Sequence, residues 1–185
     1  MKAIFLDRDG TINADVNYLC SKSDIKIIDG AIEALKVFKD MGFLNIIVTN
    51  QSAVARGMIT LEQLQEIHKE FYLQLKSGDI HLIDDIFYSP YHQDGIIEEF
   101  SILHPDTKPG TGMLLKAQKK FSLDFRECYI VGDKSRDIET GNNAGVKSIL
   151  VGKESLEECK KKKLVIEYVA IDLLEASKYI AGKNL

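Results

Sequence analysis

Two aspartates that could do chemistry stand one residue apart near the start of the chain. Asp7 and Asp9 follow the apolar run Lys2–Leu6, and a short run of this kind predicts a buried strand that leads into a loop. Paired carboxylates can bind a divalent cation, attack an electrophile or transfer a proton. A D-x-D pair on its own is more often a solvated turn, so its interpretation depends on the residues that accompany it.

Three further polar residues stand in equivalent positions. Thr49 follows the predicted strand Leu44–Val48, Asp133 follows the predicted strand Tyr129–Val131, and Lys108 ends a long loop before a predicted helix. Ligands of open α/β sheets bind outside the carboxyl ends of the strands. Singly, such residues are usually caps, turns or surface groups. Together with the aspartate pair, in this order, they predict one polar site at one edge of a sheet.

The elements that must position these residues alternate along the chain. We predict strands at Lys2–Leu6, Leu44–Val48, Asp85–Ser89, Tyr129–Val131, Ser148–Val151 and Ile166–Ala170, and helices at Ala31–Met41, from the capping box at Thr60 to about Lys76, and at Gly110–Phe121, Asp137–Ala144 and Leu173–Ile180. Strands that are solid apolar runs between helices indicate a parallel sheet covered on both faces. The sequence therefore predicts an α/β fold in a single domain over residues 1–185.

The composition excludes several classes of function. The chain has 185 residues, 45% of them hydrophobic and 28% charged, and a formal net charge of −4, which lacks the basic footprint of a nucleic-acid binder. Cys20, Cys128 and Cys159 stand singly, so they indicate no disulfide framework. No apolar stretch approaches the roughly 18 residues of a membrane span, and Met1–Asp9 lacks a signal-peptide core. We expect a cytoplasmic monomer with no nucleic-acid or membrane partner.

The polar motifs resemble those of the haloacid-dehalogenase-like (HAD) superfamily of phosphatases over essentially the whole chain. The matching segments are Phe5–Thr11, Val48–Ser52, Lys108–Pro109 and Gly132–Asp137. Within that superfamily the chain is similar to the subgroup of D,D-heptose 1,7-bisphosphate and histidinol-phosphate phosphatases, because Thr49–Gly57 reads as their extended second motif. The resemblance implies a Rossmann-like three-layer α/β fold and a small phosphorylated metabolite as substrate.

The resemblance also implies a role for each motif residue. Asp7 would attack phosphorus, Asp9 would protonate the leaving oxygen and later deprotonate a water, and Thr49 and Lys108 would hold the phosphoryl oxygens. Mg²⁺ would be bound by the carboxylates of Asp7 and Asp133 and by the backbone carbonyl of Asp9. These residue types suit the chemistry, since a phosphate dianion repels a carboxylate until its charge is neutralised.

A second set of residues surrounds this expected centre. Asp137 is expected to orient Lys134 or a metal-bound water rather than to bind magnesium directly. The expected substrate-binding residues are Asp15, Tyr18, Asn50, Gln51, Ser52, Arg56, Thr107 and Lys134. Spacing leaves no room for a large cap domain between Asp9 and Thr49, or between Thr49 and Lys108. The site should therefore be rather open.

The long loop before Lys108 departs from the subgroup. Its relatives carry a structural zinc there, whereas the matching positions in this chain are Ser89, Tyr91, His104 and Asp106. Because structural zinc needs four Cys or His ligands, we predict no zinc, although His104, Asp106 and the neighbouring His92 could in principle form an unusual site. Without zinc the loop must be held by its own packing, with Phe100, Ile102 and Leu103 as the expected anchors.

The loop also lacks an arginine that helps its relatives recognise the substrate. Thr107 stands at that position, and a threonine cannot make a bidentate charged contact with a second phosphate. The leading expectation is still a D-glycero-D-manno-heptose 1,7-bisphosphate 7-phosphatase. Histidinol-phosphate phosphatase or another small sugar-phosphate phosphatase is the alternative among enzymes, and a catalytically silent HAD-like binding domain is the alternative of another class.

Overall fold

The computed structural model describes residues 1–183, which contain eight β-strands, six α-helices and three short 3-10 helices. In chain order the strands and α-helices are β1 (Ala3–Leu6), α1 (Ala31–Asp40), β2 (Leu44–Asn50), α2 (Leu61–Gln74), β3 (Lys76–Ser77), β4 (Ile80–His81), β5 (Asp85–Ser89), α3 (Gly112–Phe121), β6 (Tyr129–Gly132), α4 (Ser135–Ala144), β7 (Lys147–Val151), α5 (Leu156–Lys161), β8 (Tyr168–Ala170) and α6 (Leu173–Lys183). The six predicted strands and five predicted helices are confirmed. The short β3–β4 hairpin and α5 were not predicted.

Six of the strands form one parallel sheet in the order β5-β2-β1-β6-β7-β8. β1 lies between β2 and β6, where Ile4 pairs with both Asn45 and Tyr129. Because all six strands run the same way, their carboxyl ends meet at one edge. The loops after β1, β2 and β6 therefore lie side by side there, as the sequence predicted.

Side chains of β1 alternate between two apolar layers. Ile4 and Leu6 pack into a cluster with residues of α1, α2 and α6, whereas Ala3 and Phe5 pack into a second cluster with residues of α3. All four are fully buried. This three-layer arrangement fixes both faces of the strand, so the side chains that follow it at the sheet edge are also directed to defined sides.

Side-chain hydrogen bonds set where the helices begin. The capping box predicted at the start of α2 is confirmed, with Thr60 and Gln63 bonded reciprocally at 2.8 and 3.2 Å. Helix α4 begins at Ser135, two residues before the predicted start at Asp137. The reason is that the Asp137 carboxylate accepts the backbone N–H of Lys134 at 3.0 Å and so caps the helix at Lys134. The start of α3 at Gly112, two residues after the predicted one, follows a turn of the preceding loop.

The connections agree with the expected absence of a large cap domain. Within residues 1–183, α1 is the only α-helix between Asp9 and Thr49, and α2, a two-stranded hairpin and β5 lie between Thr49 and Lys108. None of the helices in residues 1–183 is long and apolar enough to cross a bilayer. The cavity at the sheet edge is therefore bounded by loops rather than by a second domain.

A buried histidine on α2 makes stability depend on pH. The His68 ring lies 5.0 Å from that of Tyr88, and its Nε2 has no hydrogen-bond partner among the described residues. Burial, assisted by the nearby charge of Arg8, lowers the pKa of His68 to about 3. Since the unfolded chain has an ordinary histidine pKa of roughly 6.5, acid protonates His68 in the unfolded state before the folded state.

We predict that replacing this ring removes part of the acid sensitivity. Below about pH 6.5 the wild type should lose the contribution of neutral His68, and that loss should continue as the pH falls toward the folded-state pKa. Between about pH 7.5 and about pH 5.5, the free energy of unfolding should fall by about 1.4 kcal/mol more for the wild type than for His68→Leu. Denaturant titrations at both pH values measure this, and equal decreases would contradict the assignment.

Candidate active site

A cavity of about 310 Å³ opens at the carboxyl edge of the sheet. The predicted site residues that line it are Asp7, Asp9, Asp15, Tyr18, Thr49, Asn50, Gln51, Ser52, Arg56 and Thr107. The remaining ones, Lys108, Asp133, Lys134 and Asp137, lie beside it and are joined by ion pairs to Asp7, Asp15 or one another. The structure thus brings the sequence-predicted set together at the predicted edge.

The ammonium of Lys108 is the central contact of the site. Its Nζ lies 2.7 Å from Asp7 Oδ1, 2.5 Å from Asp137 Oδ1 and 2.8 Å from the carbonyl oxygen of Val48. Burial opposes a charge here, but Asp137 and Asp7 outweigh it, so the pKa of Lys108 is raised. Lys108 therefore carries a fixed positive charge beside the cavity.

Asp7 lies in an environment that disfavours its negative charge. Burial raises the pKa of Asp7 to about 7, and the charge and hydrogen bond of Lys108 only partly oppose this. The neighbouring carboxylates of Asp137 and Asp133 also contribute to this raised pKa. An additional positive charge near these carboxylates would favour the ionised form of Asp7.

Asp137 has a partner that was not predicted, Lys108. Its carboxylate contacts the Lys108 ammonium and accepts the backbone N–H of Lys134, but the side chain of Lys134 points elsewhere. Lys134 Nζ instead lies 2.8 Å from Asp133 and 3.4 Å from Asp15. Asp137 therefore contacts Lys134 through its backbone and not through its side chain, and the other expected role, orienting a metal-bound water, stays a prediction.

The carboxylates of the site fit a hard divalent cation. Oxygens of Asp7, Asp133 and Asp137 lie within 4.8 Å of one another. The buried Asp133 Oδ1 has no hydrogen-bond partner in residues 1–183. Gly10 has a φ of +87°, and a Cβ at this position would collide with the Asp133 carboxylate. Clustered carboxylate oxygens, one of them unpaired, are the donors that Mg²⁺ prefers.

The second aspartate of the motif belongs to a separate hydrogen-bond network. Arg8 donates to Asp9 through Nε at 3.1 Å and through Nη2 at 2.7 Å. Gln51 Nε2 donates to Asp9 at 3.0 Å and to the hydroxyl of Thr49 at 2.8 Å. Asn13 adds a longer contact to Asp9 at 3.4 Å. Because Thr49 accepts from Gln51, the Thr49 hydroxyl proton remains available for an oxygen in the cavity.

Two amides that were predicted to bind substrate are occupied by protein contacts. Asn50 accepts the backbone N–H of Lys108 at 2.9 Å and donates to its carbonyl at 3.1 Å, so it positions Lys108. The Gln51 amide is likewise used by its contacts with Arg8, Asp9 and Thr49. Both residues line the cavity, but their polar atoms act on neighbouring site residues. Ser52 also lines the cavity, and its carbonyl oxygen accepts the backbone N–H of Arg56.

The mouth of the cavity carries positive charge. Arg56 lies over the ring of Tyr18 at 5.9 Å and contacts His92 at 3.2 Å, and its buried Nε has no hydrogen-bond partner among the described residues. Arg136 is exposed and also lines the cavity. Asp15 adds one carboxylate, which is paired with Lys134. His92 and Arg136 were not in the predicted substrate-binding set: Arg136 stands in the matched segment Gly132–Asp137 but was given no role, and His92 was considered only as a possible zinc ligand.

The loop before Lys108 is held by contacts that differ partly from the expected anchors. Phe100 is buried as predicted, but the predictions for Ile102 and Leu103 were wrong, since they are 45% and 83% exposed. Apolar character alone could not tell which loop residues face the core. Tyr91 and His104 stack with ring centroids 4.0 Å apart. Further contacts pair Ser89 with Thr107 at 2.6 Å, and Asp106 with Lys116.

Comparisons with known proteins agree with this geometry. A family model described as HAD-hydrolase-like matches residues 106–176. The chain is 42% identical over 144 residues to the D-glycero-beta-D-manno-heptose-1,7-bisphosphate 7-phosphatase of Yersinia pestis, covering 78% of this chain and 76% of that one. It is 38% identical over 184 residues to the enzyme of the same name from Pasteurella multocida, covering 98% and 97% of the two chains.

A solved structure shows the same architecture. The crystal structure of the D,D-heptose 1,7-bisphosphate phosphatase from B. bronchiseptica, complexed with magnesium and phosphate, superposes with a TM-score of 0.83 at 25% identity and covers 99% of each chain. The fold and the site define a HAD-like hydrolase that acts on phosphate esters. The chain belongs to the family of HAD-like phosphatases that includes these heptose-bisphosphate phosphatases.

We predict that Mg²⁺ stabilises the folded chain through the carboxylate cluster. At a magnesium concentration about 100 times the dissociation constant, binding should add about 2.7 kcal/mol to the free energy of unfolding. Asp133→Asn should lose most of the resulting increase in melting temperature, since Asp133 supplies the unpaired oxygen. Asp40→Asn, which alters an exposed aspartate at the end of α1, should keep it. A full increase in Asp133→Asn, measured by calorimetry, would place the cation elsewhere.

Proposed function

We propose that the chain is a magnesium-dependent phosphatase for which Asp7 is the nucleophile, and that its substrate is D-glycero-D-manno-heptose 1,7-bisphosphate, hydrolysed at position 7. The observation that carries the reaction is the buried Asp7 carboxylate at the cavity wall, 2.7 Å from the Lys108 ammonium. The substrate is proposed from the names of the relatives that match most of this chain.

Each residue of the site has a separate role in an in-line phosphoryl transfer. Asp7 attacks phosphorus and forms an aspartyl-phosphate, while Lys108 and the free hydroxyl proton of Thr49 neutralise charge on the phosphoryl oxygens. Asp9 gives a proton to the leaving sugar oxygen and then takes one from the water that cleaves the aspartyl-phosphate. Asp7, Asp133 and the Asp9 carbonyl would hold Mg²⁺, which when bound supplies additional neutralising charge.

Positive charge at the cavity mouth supports a substrate with a second phosphate. Arg56 has an unpaired buried Nε, and Arg136 lines the same cavity. Guanidinium groups suit phosphate oxygens because they donate two parallel hydrogen bonds. Histidinol phosphate remains the alternative, favoured by the Asp15 carboxylate, which could receive an ammonium group. The intact contact between Asp7 and Lys108 argues against a catalytically silent binding domain.

The long loop supports the proposal that this enzyme functions without zinc. Three of the four positions that match the ligands of relatives are tied to other side chains: Ser89 to Thr107, His104 to the ring of Tyr91, and Asp106 to Lys116. The fourth is Tyr91 itself, which has no zinc-binding atom of the usual kind. Elemental analysis of the purified chain tests this, and a stoichiometric zinc would contradict it.

We further propose a cytoplasmic, single-domain monomer. All three cysteines are free, as is usual for proteins of reducing compartments. Asp7, Asp9 and Thr49 line one cavity and Lys108 contacts Asp7 beside it, so a single chain supplies every residue given a catalytic role. The net charge of −4 gives no reason to expect nucleic acid. Gel filtration of the purified chain measures the oligomeric state, and a dimer would contradict the last part of this proposal.

We predict that Asp7→Asn abolishes phosphate release while the fold is kept, because an amide neither attacks phosphorus nor binds Mg²⁺ well. The measurement is phosphate release with Mg²⁺ from heptose 1,7-bisphosphate, histidinol phosphate and several sugar monophosphates. Asp40→Asn is the matched control and should retain wild-type rates. Near-wild-type activity of Asp7→Asn would contradict the nucleophile, and a higher kcat/KM for histidinol phosphate would favour the alternative substrate.

We also predict that Thr107→Arg increases the preference for bisphosphate over 7-monophosphate. A charge-assisted pair contributes about 1.5–3 kcal/mol, so the ratio of the two kcat/KM values should rise by about tenfold or more. Thr107→Gln is the control, since it also removes the hydroxyl contact with Ser89 but adds no charge. An unchanged ratio in Thr107→Arg would mean that other groups, with Arg56 and Lys134 first among them, already read the second phosphate.

A further inference from the structure

Arg8 is a fully buried cation that the phosphatase mechanism does not use. It has the largest of the fully buried side chains, at 0% exposure. It continues the alternation of Ile4 and Leu6 and lies over the ring of Phe71 at 5.6 Å, on the α2 side of the sheet. A buried guanidinium is costly unless its donors are satisfied, and Arg8 Nη1 has no hydrogen-bond partner in residues 1–183. The contacts that Arg8 does make must therefore explain why its charge is buried.

The remaining donors of Arg8 converge on the proposed proton donor. Its Nε lies 3.1 and 3.2 Å from the two oxygens of Asp9, and its Nη2 lies 2.7 Å from Asp9 Oδ2. Nη2 also donates to Gln51 Oε1 at 2.8 Å. Arg8 thereby grips both oxygens of Asp9, whose side chain is 24% exposed at the cavity. Such a planar fork restricts the orientation of the carboxylate in a way that a single ammonium cannot.

Arg8 also fixes the orientation of the neighbouring amide. A guanidinium only donates hydrogen bonds, so the oxygen of Gln51 must face Arg8. The Gln51 nitrogen then points to Asp9 Oδ2 at 3.0 Å and to Thr49 Oγ1 at 2.8 Å. The opposite orientation of the amide would set N–H groups against Arg8. One buried cation thus determines which atoms of Gln51 face the two site residues.

We propose that Arg8, with Gln51, is a positioning residue that holds the Asp9 carboxyl group where it can give its proton to the leaving oxygen. This inference rests on the proposed function. A sugar leaves as an alkoxide, which needs that proton, whereas p-nitrophenolate is a stable anion and needs it far less. Misplacing Asp9 should therefore lower kcat/KM more for alkyl phosphates than for p-nitrophenyl phosphate. If Arg8 had only a structural role, its loss would lower kcat/KM equally for both kinds of substrate.

The test compares kcat/KM values, which cover the steps up to loss of the leaving group. The substrates are heptose 1,7-bisphosphate, glycerol phosphate as a second alkyl ester, and p-nitrophenyl phosphate, all with Mg²⁺. For Arg8→Met we expect a loss of at least about 100-fold on the alkyl esters and less than about tenfold on p-nitrophenyl phosphate. Arg8→Lys should recover part of the loss on the alkyl esters.

Three other variants keep the test decisive. Asp9→Asn measures how far the kcat/KM losses on the two kinds of substrate can differ when the proton donor is removed. Thr49→Val should lower kcat/KM by a similar factor for both kinds of substrate, since Thr49 acts on the phosphoryl group. Gln51→Leu should show the same selective loss as Arg8→Met, and carries the test if Arg8→Met does not fold. Equal losses on both kinds of substrate in folded Arg8 and Gln51 variants would overturn the inference. A wild type inactive on all three substrates would instead overturn the proposed function, and the inference with it.

Discussion

The site depends on one electrostatic constraint, the burial of Lys108 between two carboxylates. Asp7 and Asp137 both contact its ammonium, at 2.7 and 2.5 Å, and all three side chains are at least nine-tenths buried. Burying any of these charges alone would be costly, so the three elements that carry them must dock together. β1, the start of α4 and the end of the long loop do so because parallel strands bring their carboxyl ends to one edge.

The same constraint leaves the site with unbalanced negative charge. Asp133 adds a third carboxylate, which Lys134 pairs only at one oxygen. The raised pKa of Asp7 reflects this crowding together with its burial. A divalent cation bound here would relieve the repulsion and favour ionised Asp7, the form that the proposed mechanism requires. The contacts that stabilise the fold at this edge and the affinity for a cation thus have the same physical origin.

Much of this could be predicted from the sequence, because the strongest signals were local. The capping box at Thr60, the strand Asp85–Ser89 and the aspartates after β1 each follow from a few neighbouring residues. The features that local patterns did not supply depend on tertiary packing. The long-range contact of Asp137 with Lys108, and the exposure of Leu103, depend on which groups tertiary packing places nearby.

Arg8 shows what sequence patterns could have found and did not. It lies between two site aspartates, which suggests a residue of the cavity wall, yet it is fully buried. The period-2 alternation of β1 does place it on the side of Ile4 and Leu6, opposite Asp7. No sequence pattern indicated the hydrogen-bond partners that make burial of this charge tolerable, since Gln51 stands 43 positions away.

The proposed mechanism requires Asp7 as the covalent nucleophile, and chemical trapping tests that role most directly. The wild-type chain is mixed with Mg²⁺ and heptose 1,7-bisphosphate, quenched in acid during turnover and reduced with borohydride, which converts an acyl phosphate to an alcohol. Peptide mass spectrometry should then find homoserine in place of aspartate at position 7, and only when substrate was present. Ongoing turnover with no reduced residue, or with the modification at any other residue, would contradict the account.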